Sequence, residues 1–149
     1  MIEIRKAMQG DISRIAEILV FTKRLNYRSI FHNDNYSFGE MQVLSVAQEY
    51  LDNPDTLSDI WVYYDEFVRG LIHVEGREVK ELYVDYFFEG QGIGGKLIEF
   101  AIQNFDVRYL WVLEKNERAR SFYEKHGFHY KNEWQYEEGT TEHLLKMER

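Results

Sequence analysis

Residues 88–97 read FEGQGIGGKL, with four glycines inside six positions and a lysine directly after the last. Before this stretch lies VKELYVDYF (79–87), which has the composition of a strand. After it comes GKLIEFAIQNF (95–105), where Leu97, Ile98, Ala101, Ile102 and Phe105 recur on one face of a helix. A helix start offers four backbone N–H groups without intrahelical partners and a partial positive charge. Glycines let the chain approach an anion closely and adopt φ > 0. Strand, glycine loop and helix together make an anion-binding arrangement, and three phosphate-bearing ligands compete for it.

A nucleotide triphosphate loop requires G-x-x-x-x-G-K-[ST]. Gly90, Gly95 and Lys96 fit, but Leu97 stands where a hydroxyl must hold Mg²⁺. A dinucleotide fingerprint requires G-x-G-x-x-G. Gly90, Gly92 and Gly95 fit, and Glu114 ends the next strand at a suitable distance. Both loops belong to doubly wound parallel sheets, whereas here hairpins precede the loop and too little chain follows for two nucleotide-binding halves. A third phosphate-bearing ligand remains open.

Working outward, IEIRKA (2–7) alternates like a strand, and GDISRIAEILV (10–20) carries an apolar helical stripe with Asp11 available as its cap. NYRSIFHNDNYS (26–37) has no clean period and reads as a loop or irregular helix pair. FGEMQVLSVAQEYLDNP (38–54) reads as a helix with Val43, Leu44, Ala47 and Leu51 inward, ended by its proline. DIWVYYDE (59–66), VRGLIHVEG (68–76) and the strand at 79–87 form an antiparallel meander. VRYLWVLE (107–114) is a strand, NERARSFYEKHGF (116–128) a helix with Gly127 as its C-cap, and HYKNEWQY (129–136) and EHLLKM (142–147) close the chain as a hairpin. The order β-α-α-β-β-β-α-β-α-β-β predicts a single α/β (α+β) domain over 1–149. Its central sheet should be mixed but mostly antiparallel, with about seven strands flanked by about four helices.

Composition narrows the function. Of 149 residues, 44% are hydrophobic, enough for one packed core. With no cysteine, disulfides, thiolate metal sites and a cysteine nucleophile are excluded. His32 and His129 form no ligand set, so no metal is expected. A net charge of -8 argues against a nucleic-acid backbone binder and is compatible with a cationic substrate. The N-terminal stretch lacks an apolar core of signal length, and no apolar run approaches a membrane span, so a cytoplasmic protein is expected. Edge-strand pairing and exposed aromatics are compatible with a homodimer.

The segments LYVDYFFEGQGIGGKLIEF and NERARSFYEKHGF together resemble the GCN5-related N-acetyltransferase (GNAT) family. Its acyl-CoA loop runs Arg or Gln, two residues, Gly, one residue, then Gly or Ala; here those places are Glu89, Gly92 and Gly94. The second segment is similar to the family's Asn-x-x-Ala-x-x-Phe-Tyr-x-x-x-Gly-Phe stretch. One helix and one strand separate the two, as in the family. Glu89 departs from the pattern, because a carboxylate beside a pyrophosphate is repulsive.

The resemblance implies an acetyl-CoA-dependent N-acetyltransferase acting by direct attack of a primary amine of a small molecule or peptide. A non-catalytic acyl-CoA-binding sensor or interaction module is the alternative. It implies that the strands at 81–86 and 107–113 splay to admit the pantetheine arm, with the backbone of Leu82, Tyr83 and Val84 pairing with it. The pyrophosphate would sit on Gly90, Gln91, Gly92, Ile93, Gly94 and Gly95, with Glu89 at the loop's first place and Lys96 adding charge or facing solvent. Asn116 would cap its helix and reach the cofactor. Of Lys115, Arg118 and Arg120, one is expected to meet the phosphates and offset Glu89, and Arg120 is assigned to the cofactor site. Tyr123 occupies the family's general-acid place and Glu81 is the first choice of base, with His73 in reserve. Pocket candidates are Tyr27, Phe31, His32, Tyr36, Tyr63 and Trp134, with Asp34, Glu137 and Glu138 as carboxylates able to recruit a cation.

Overall fold

A computed structural model describes residues 1–149. Seven strands form one sheet in the order β1-β2-β3-β4-β5-β7-β6. The strands are β1 (Glu3–Lys6), β2 (Ile60–Asp65), β3 (Phe67–Glu75), β4 (Glu78–Val84), β5 (Tyr109–Leu113), β6 (His129–Tyr136) and β7 (His143–Glu148). The helices are α1 (Ile12–Phe31), α2 (Val43–Asp52), α3 (Ile93–Phe105) and α4 (Glu117–Lys125). Every neighbouring pair is antiparallel except β4 and β5, which the α3 crossover joins in parallel.

Alternation along the strands sends successive residues to opposite faces. On one face α1 and α2 cover Ile60, Val62, Leu71 and Tyr83, with Ile15, Ile18 and Leu19 of α1 fully inside. On the other, α3 contributes Ile93, Leu97, Ile98 and Ala101 against Ile72, Val79, Leu110, Val112 and Met147, with Phe128 completely buried. Ala119, Phe122 and Tyr123 of α4 pack onto that second core.

The strand expected at 79–87 is shorter and irregular. The β3–β4 register jumps from His73↔Glu81 to Val74↔Val79, leaving Lys80 as a bulge. A bulge bends its strand and ends regular pairing. Accordingly β4 meets β5 only at Glu78↔Tyr109 and Val79↔Leu110, and from Lys80 onward the two strands part. β4 stops at Val84 because Asp85 turns the chain: its carboxylate accepts the N–H of Phe87 and pairs with Arg14 at 2.9 Å, which starts a 3-10 turn over Tyr86–Phe88.

Two other expectations are corrected, and of the two readings of 26–37 the irregular helix pair is the one present. The irregular stretch at 26–37 is helical to Phe31, ending on His32 in the left-handed region (φ 52), and a π-helical turn follows over Asn35–Glu40. Arg24 holds this turn by donating to the carbonyls of Ser37 and Met41, a tertiary contact that periodicity does not encode. α2 begins only at Val43, and Leu44 and Leu51 face solvent at 82% and 47% exposure, while Val43, Val46, Ala47 and Tyr50 pack inward. Asp11 precedes α1 without a side-chain cap, because its carboxylate accepts from Arg5 (2.8 and 3.1 Å) and from the N–H of Met8.

Gly70 of β3 sits beneath the first turn of α3. A Cβ there would lie 3.1 Å from both the Tyr83 carbonyl and Ile93 Cγ2, and 3.3 Å from Leu97 Cδ1. The carbonyl belongs to the paired β4 and has little room to yield. Gly70→Val is therefore expected to lower the unfolding free energy by about 1–3 kcal/mol through overpacking, read as a lower urea midpoint at unchanged slope.

Candidate active site

The parting of β4 from β5 leaves the β5-facing edge of β4 from Lys80 to Val84 without a strand partner. A cavity of about 520 Å³ opens onto this edge from the α3–α4 side. Its walls bring together Leu82, Tyr83, Val84, Glu89, Gly90, Gly92, Ile93, Gly94, Gly95, Asn116 and Tyr123, with Arg118 and Phe122 across the mouth. Gln91, Lys96 and Arg120 do not line it. Gln91 is exposed, and Lys96 is exposed with its Nζ 5.9 Å from the Tyr63 ring. The Arg120 guanidinium donates to the Glu114 carbonyl at 3.0 Å.

The floor of the cavity is the start of α3. Gly92 is its N-cap at φ 80, ψ 10, a left-handed conformation that glycine adopts without penalty, and it gives the helix no capping side chain. The N–H groups of Ile93, Gly94 and Gly95 are thus left for an external acceptor. Gly94 lets α4 approach: a Cβ on it would already touch the Phe122 ring at 3.4 Å. The absent side chains, free N–H groups and unpaired strand edge fit a diphosphate followed by an amide-bearing arm. Asn116 caps α4 by accepting the N–H of Ala119 at 3.2 Å.

On the opposite face a second cavity of about 560 Å³ lies among α1, α2 and the sheet. It contains Tyr36, His73 and Glu81, together with Lys23, Glu40, Glu49 and Tyr50, which the sequence did not single out. Glu81 and His73 are cross-strand partners beside the bulge. Neither strand set on β4 faces solvent: Leu82 and Val84 face the α3 layer, and Tyr83 with Glu81 faces the α1–α2 layer. Glu81 Oε2 is buried with no hydrogen-bond partner. His73 Nε2 lies 3.3 Å from Glu75 Oε1 but is too poorly aligned to bond. None of Lys23, Glu40, Glu49 and Glu81 joins the 19 ion pairs of the chain, so the charges lining this cavity are unspent.

The two cavities communicate electrostatically through the split. Burial first, then neighbouring Tyr27, Glu81 and Tyr123, hold the Tyr83 phenol well above its usual range. Burial and then Tyr27 raise Tyr123. Burial raises Tyr27, Tyr83 opposes that shift, and Glu81 adds to it. Tyr27 comes from α1 on one face and Tyr123 from α4 on the other, and the two phenols act on each other's surroundings through Tyr83 between them. Glu81 and Glu49 both act on the Tyr50 phenol, after burial.

The remaining candidates lie elsewhere. Tyr63 is core at 4% exposure, and Phe31 packs edge-on against Tyr27 at 5.9 Å without lining either cavity. Trp134 stacks on His143 at 4.2 Å, and Asp34 pairs with Arg28 at 2.8 Å. Asp59, His73 and Glu75 place one donor atom each within 4.8 Å of one another and could hold a metal ion, although Lys80 already lies 3.7 Å from Glu75. A larger cavity of about 710 Å³ runs along α1, and its Arg24 and Arg28 are committed to Ser37, Met41 and Asp34.

Residues 56–130 match the family described as "Acetyltransferase (GNAT) domain", and the chain belongs to that family. It is 38% identical over 61 residues to a Mycobacterium tuberculosis protein named as a probable N-acetyltransferase; the match covers 40% of this chain and 35% of that protein, about a third of its length. Among solved structures, the PaiA N-acetyltransferase of Thermoplasma acidophilum, in complex with coenzyme A, aligns with TM-score 0.73 at 19% identity over 100% of this chain and 99% of its own. An N-acetyltransferase of Staphylococcus aureus aligns with TM-score 0.77 at 16% identity over 97% and 98%. These two likenesses are likenesses of fold.

The Asn116 cap predicts a specific pair of stabilities. Asn116→Ala should lower the unfolding free energy by about 1 kcal/mol, and Asn116→Asp should restore it, because aspartate caps as well as asparagine; thermal denaturation of the three proteins checks both.

Proposed function

We propose that this chain transfers an acetyl group from acetyl-CoA to a primary amine. The observation that carries the reading is the parting of β4 from β5 between two unlike cavities. One is floored by uncapped helix N–H groups and suits an anionic donor; the other is lined by unspent carboxylates and suits a cationic acceptor. Bound acetyl-CoA supplies an acetyl group already activated as a thioester. The chain's own residues position it and handle the protons.

In this reading the amide edge of Leu82, Tyr83 and Val84 takes the extended arm as a further strand would, and an N–H from this edge polarises the acetyl carbonyl. The first turn of α3 holds the diphosphate, with Gly90 and Gly92 keeping the approach clear. Glu81, with a buried oxygen lacking any partner, accepts the proton that an ammonium must lose before its nitrogen can attack. Glu40, Glu49 and Glu81 outnumber Lys23 among the charged groups lining the acceptor cavity, and this net negative character draws a protonated amine. Tyr123, from the other face, donates to the sulfur as it leaves. Because burial raises its pKa, the phenol stays protonated across the neutral range and its donor is always present.

Thiol release from acetyl-CoA with a panel of primary amines tests the reading directly. CoA binding without thiol release above hydrolysis for any amine would instead leave the chain as an acyl-CoA-binding module. Tyr123→Phe is expected to lower kcat by about 10² and leave CoA affinity nearly unchanged. A phenol whose pKa is raised loses its proton only above its ordinary value of about 10. The wild-type-to-Tyr123→Phe ratio of kcat should therefore hold constant from pH 7 to about pH 10 rather than fall on the alkaline side. Glu81→Gln should lower kcat with a similar magnitude, about 10², in the same assay.

A further inference from the structure

Glu89 stands where a carboxylate is least expected, at the entrance to a cavity floored by anion-seeking N–H groups. Its Oε2 accepts a hydrogen bond from Arg118 Nη1 at 3.0 Å. Arg118 lies in the first turn of α4, where the helix dipole disfavours a positive charge and where Glu117 already serves the dipole. Its side chain is 78% exposed against 28% for Glu89, and an ion pair this open contributes little to folding. The three basic residues at this helix start go three ways. Lys115 pairs with Glu142 at 2.9 Å, Arg120 donates to the Glu114 carbonyl, and only Arg118 reaches across the glycine loop. That single contact uses one guanidinium nitrogen, and Nε and Nη2 have no partner. A guanidinium is a planar fork able to hold a carboxylate with one edge and a phosphate with another.

We propose that Glu89 is a positioning residue that holds Arg118 across the cavity mouth, so that the free edge of the guanidinium binds the phosphates of the donor. In effect α4 supplies the cation the glycine loop lacks, and Glu89 fixes its place. The inference rests on the acetyl-CoA reading above and concerns affinity for the phosphate end of the donor, not the chemistry at the thioester.

The sign of one substitution separates this role from simple repulsion. If Glu89 acted only as a negative charge near a diphosphate, Glu89→Gln would tighten CoA binding. As a positioning residue, its loss releases Arg118, and Glu89→Gln weakens CoA binding by about three-fold, while Arg118→Gln weakens it by about ten-fold. In an Arg118→Gln background the sign reverses: the carboxylate has no cation to hold, and adding Glu89→Gln strengthens binding. Calorimetric titration of CoA into the four proteins at fixed, low ionic strength reads all three changes, since salt screens an exposed pair. Steady-state kinetics should show KM for acetyl-CoA rising in Glu89→Gln with kcat, KM for the amine and Tm unchanged, a split that a structural role would not produce. Tighter or equal CoA binding by Glu89→Gln in the Arg118-containing protein overturns the positioning role. Failure of the wild-type protein to bind CoA at all overturns the reading of the loop itself, and the inference with it.

Discussion

A sheet interrupted in its middle leaves backbone N–H and C=O groups unpaired where they would otherwise be satisfied, and such groups are costly unless something else meets them. Here the interruption has a local origin. Lys80 is one residue too many for β3, the strand bends, and β4 keeps only two pairs with β5 before leaving it. Everything that distinguishes the site follows from this. The amides of β4 beyond the bulge face an opening, and residues from both helical layers can meet in it. Glu81, directly after the bulge, is tucked beside His73 rather than presented to water.

The opening does not dismantle the sheet because neither half depends on the lost pairs. β5 is held along its full length by β7, from Tyr109↔Glu148 to Leu113↔Leu144, and β4 by β3. Each face of the sheet has its own core, and α3 ties the halves together as the crossover between them. The tightness of that crossover depends on Gly70, where even one methyl group would press on the Tyr83 carbonyl and the first turn of α3. The same contact that seats α3 sets the height at which its free N–H groups meet the cavity. Stability and the presentation of the free N–H groups are therefore set at one place, by the absence of a side chain.

Local chemistry was legible in the sequence, and tertiary contact was not. The order strand, glycine loop, helix, the Asn116 cap and the antiparallel pairing of β2, β3 and β4 are written in residue types with few alternative conformations, and the structure has all three. The bulge at Lys80 has no local signature, since a strand with one extra residue still alternates on either side of it. α1 runs past its apparent end because Arg24 reaches the Ser37 carbonyl and Tyr27 packs on Phe31 one turn on, which breaks the apparent period at Asn26 without breaking the helix. Helical spacing places Leu44 and Leu51 inward with Val43 and Ala47, yet the residues that pack beside Val43 and Ala47 are Val46 and Tyr50. Among basic residues near α4 the sequence assigns Arg120 to the cofactor site, whereas the one that pairs with Glu89 is Arg118, 29 positions away, a contact that spacing does not encode.

The distribution of charge reconciles two demands that the net value of -8 sets against each other. A protein this acidic repels an anionic donor at a distance and attracts a cationic acceptor. Long-range attraction suits the acceptor cavity, where Glu40, Glu49 and Glu81 are unpaired and the surrounding potential adds to theirs. On the proposed reading the donor cavity works against that field and relies on groups that act at contact: helix N–H groups, a strand edge and one guanidinium held in place. Contact interactions are short-ranged and little screened once water is displaced, whereas the opposing field of exposed carboxylates is damped within about 8 Å at physiological salt. An acidic surface is thus compatible with an anionic ligand provided its cations are positioned rather than plentiful, which is the arrangement Glu89 and Arg118 make at the mouth of the loop.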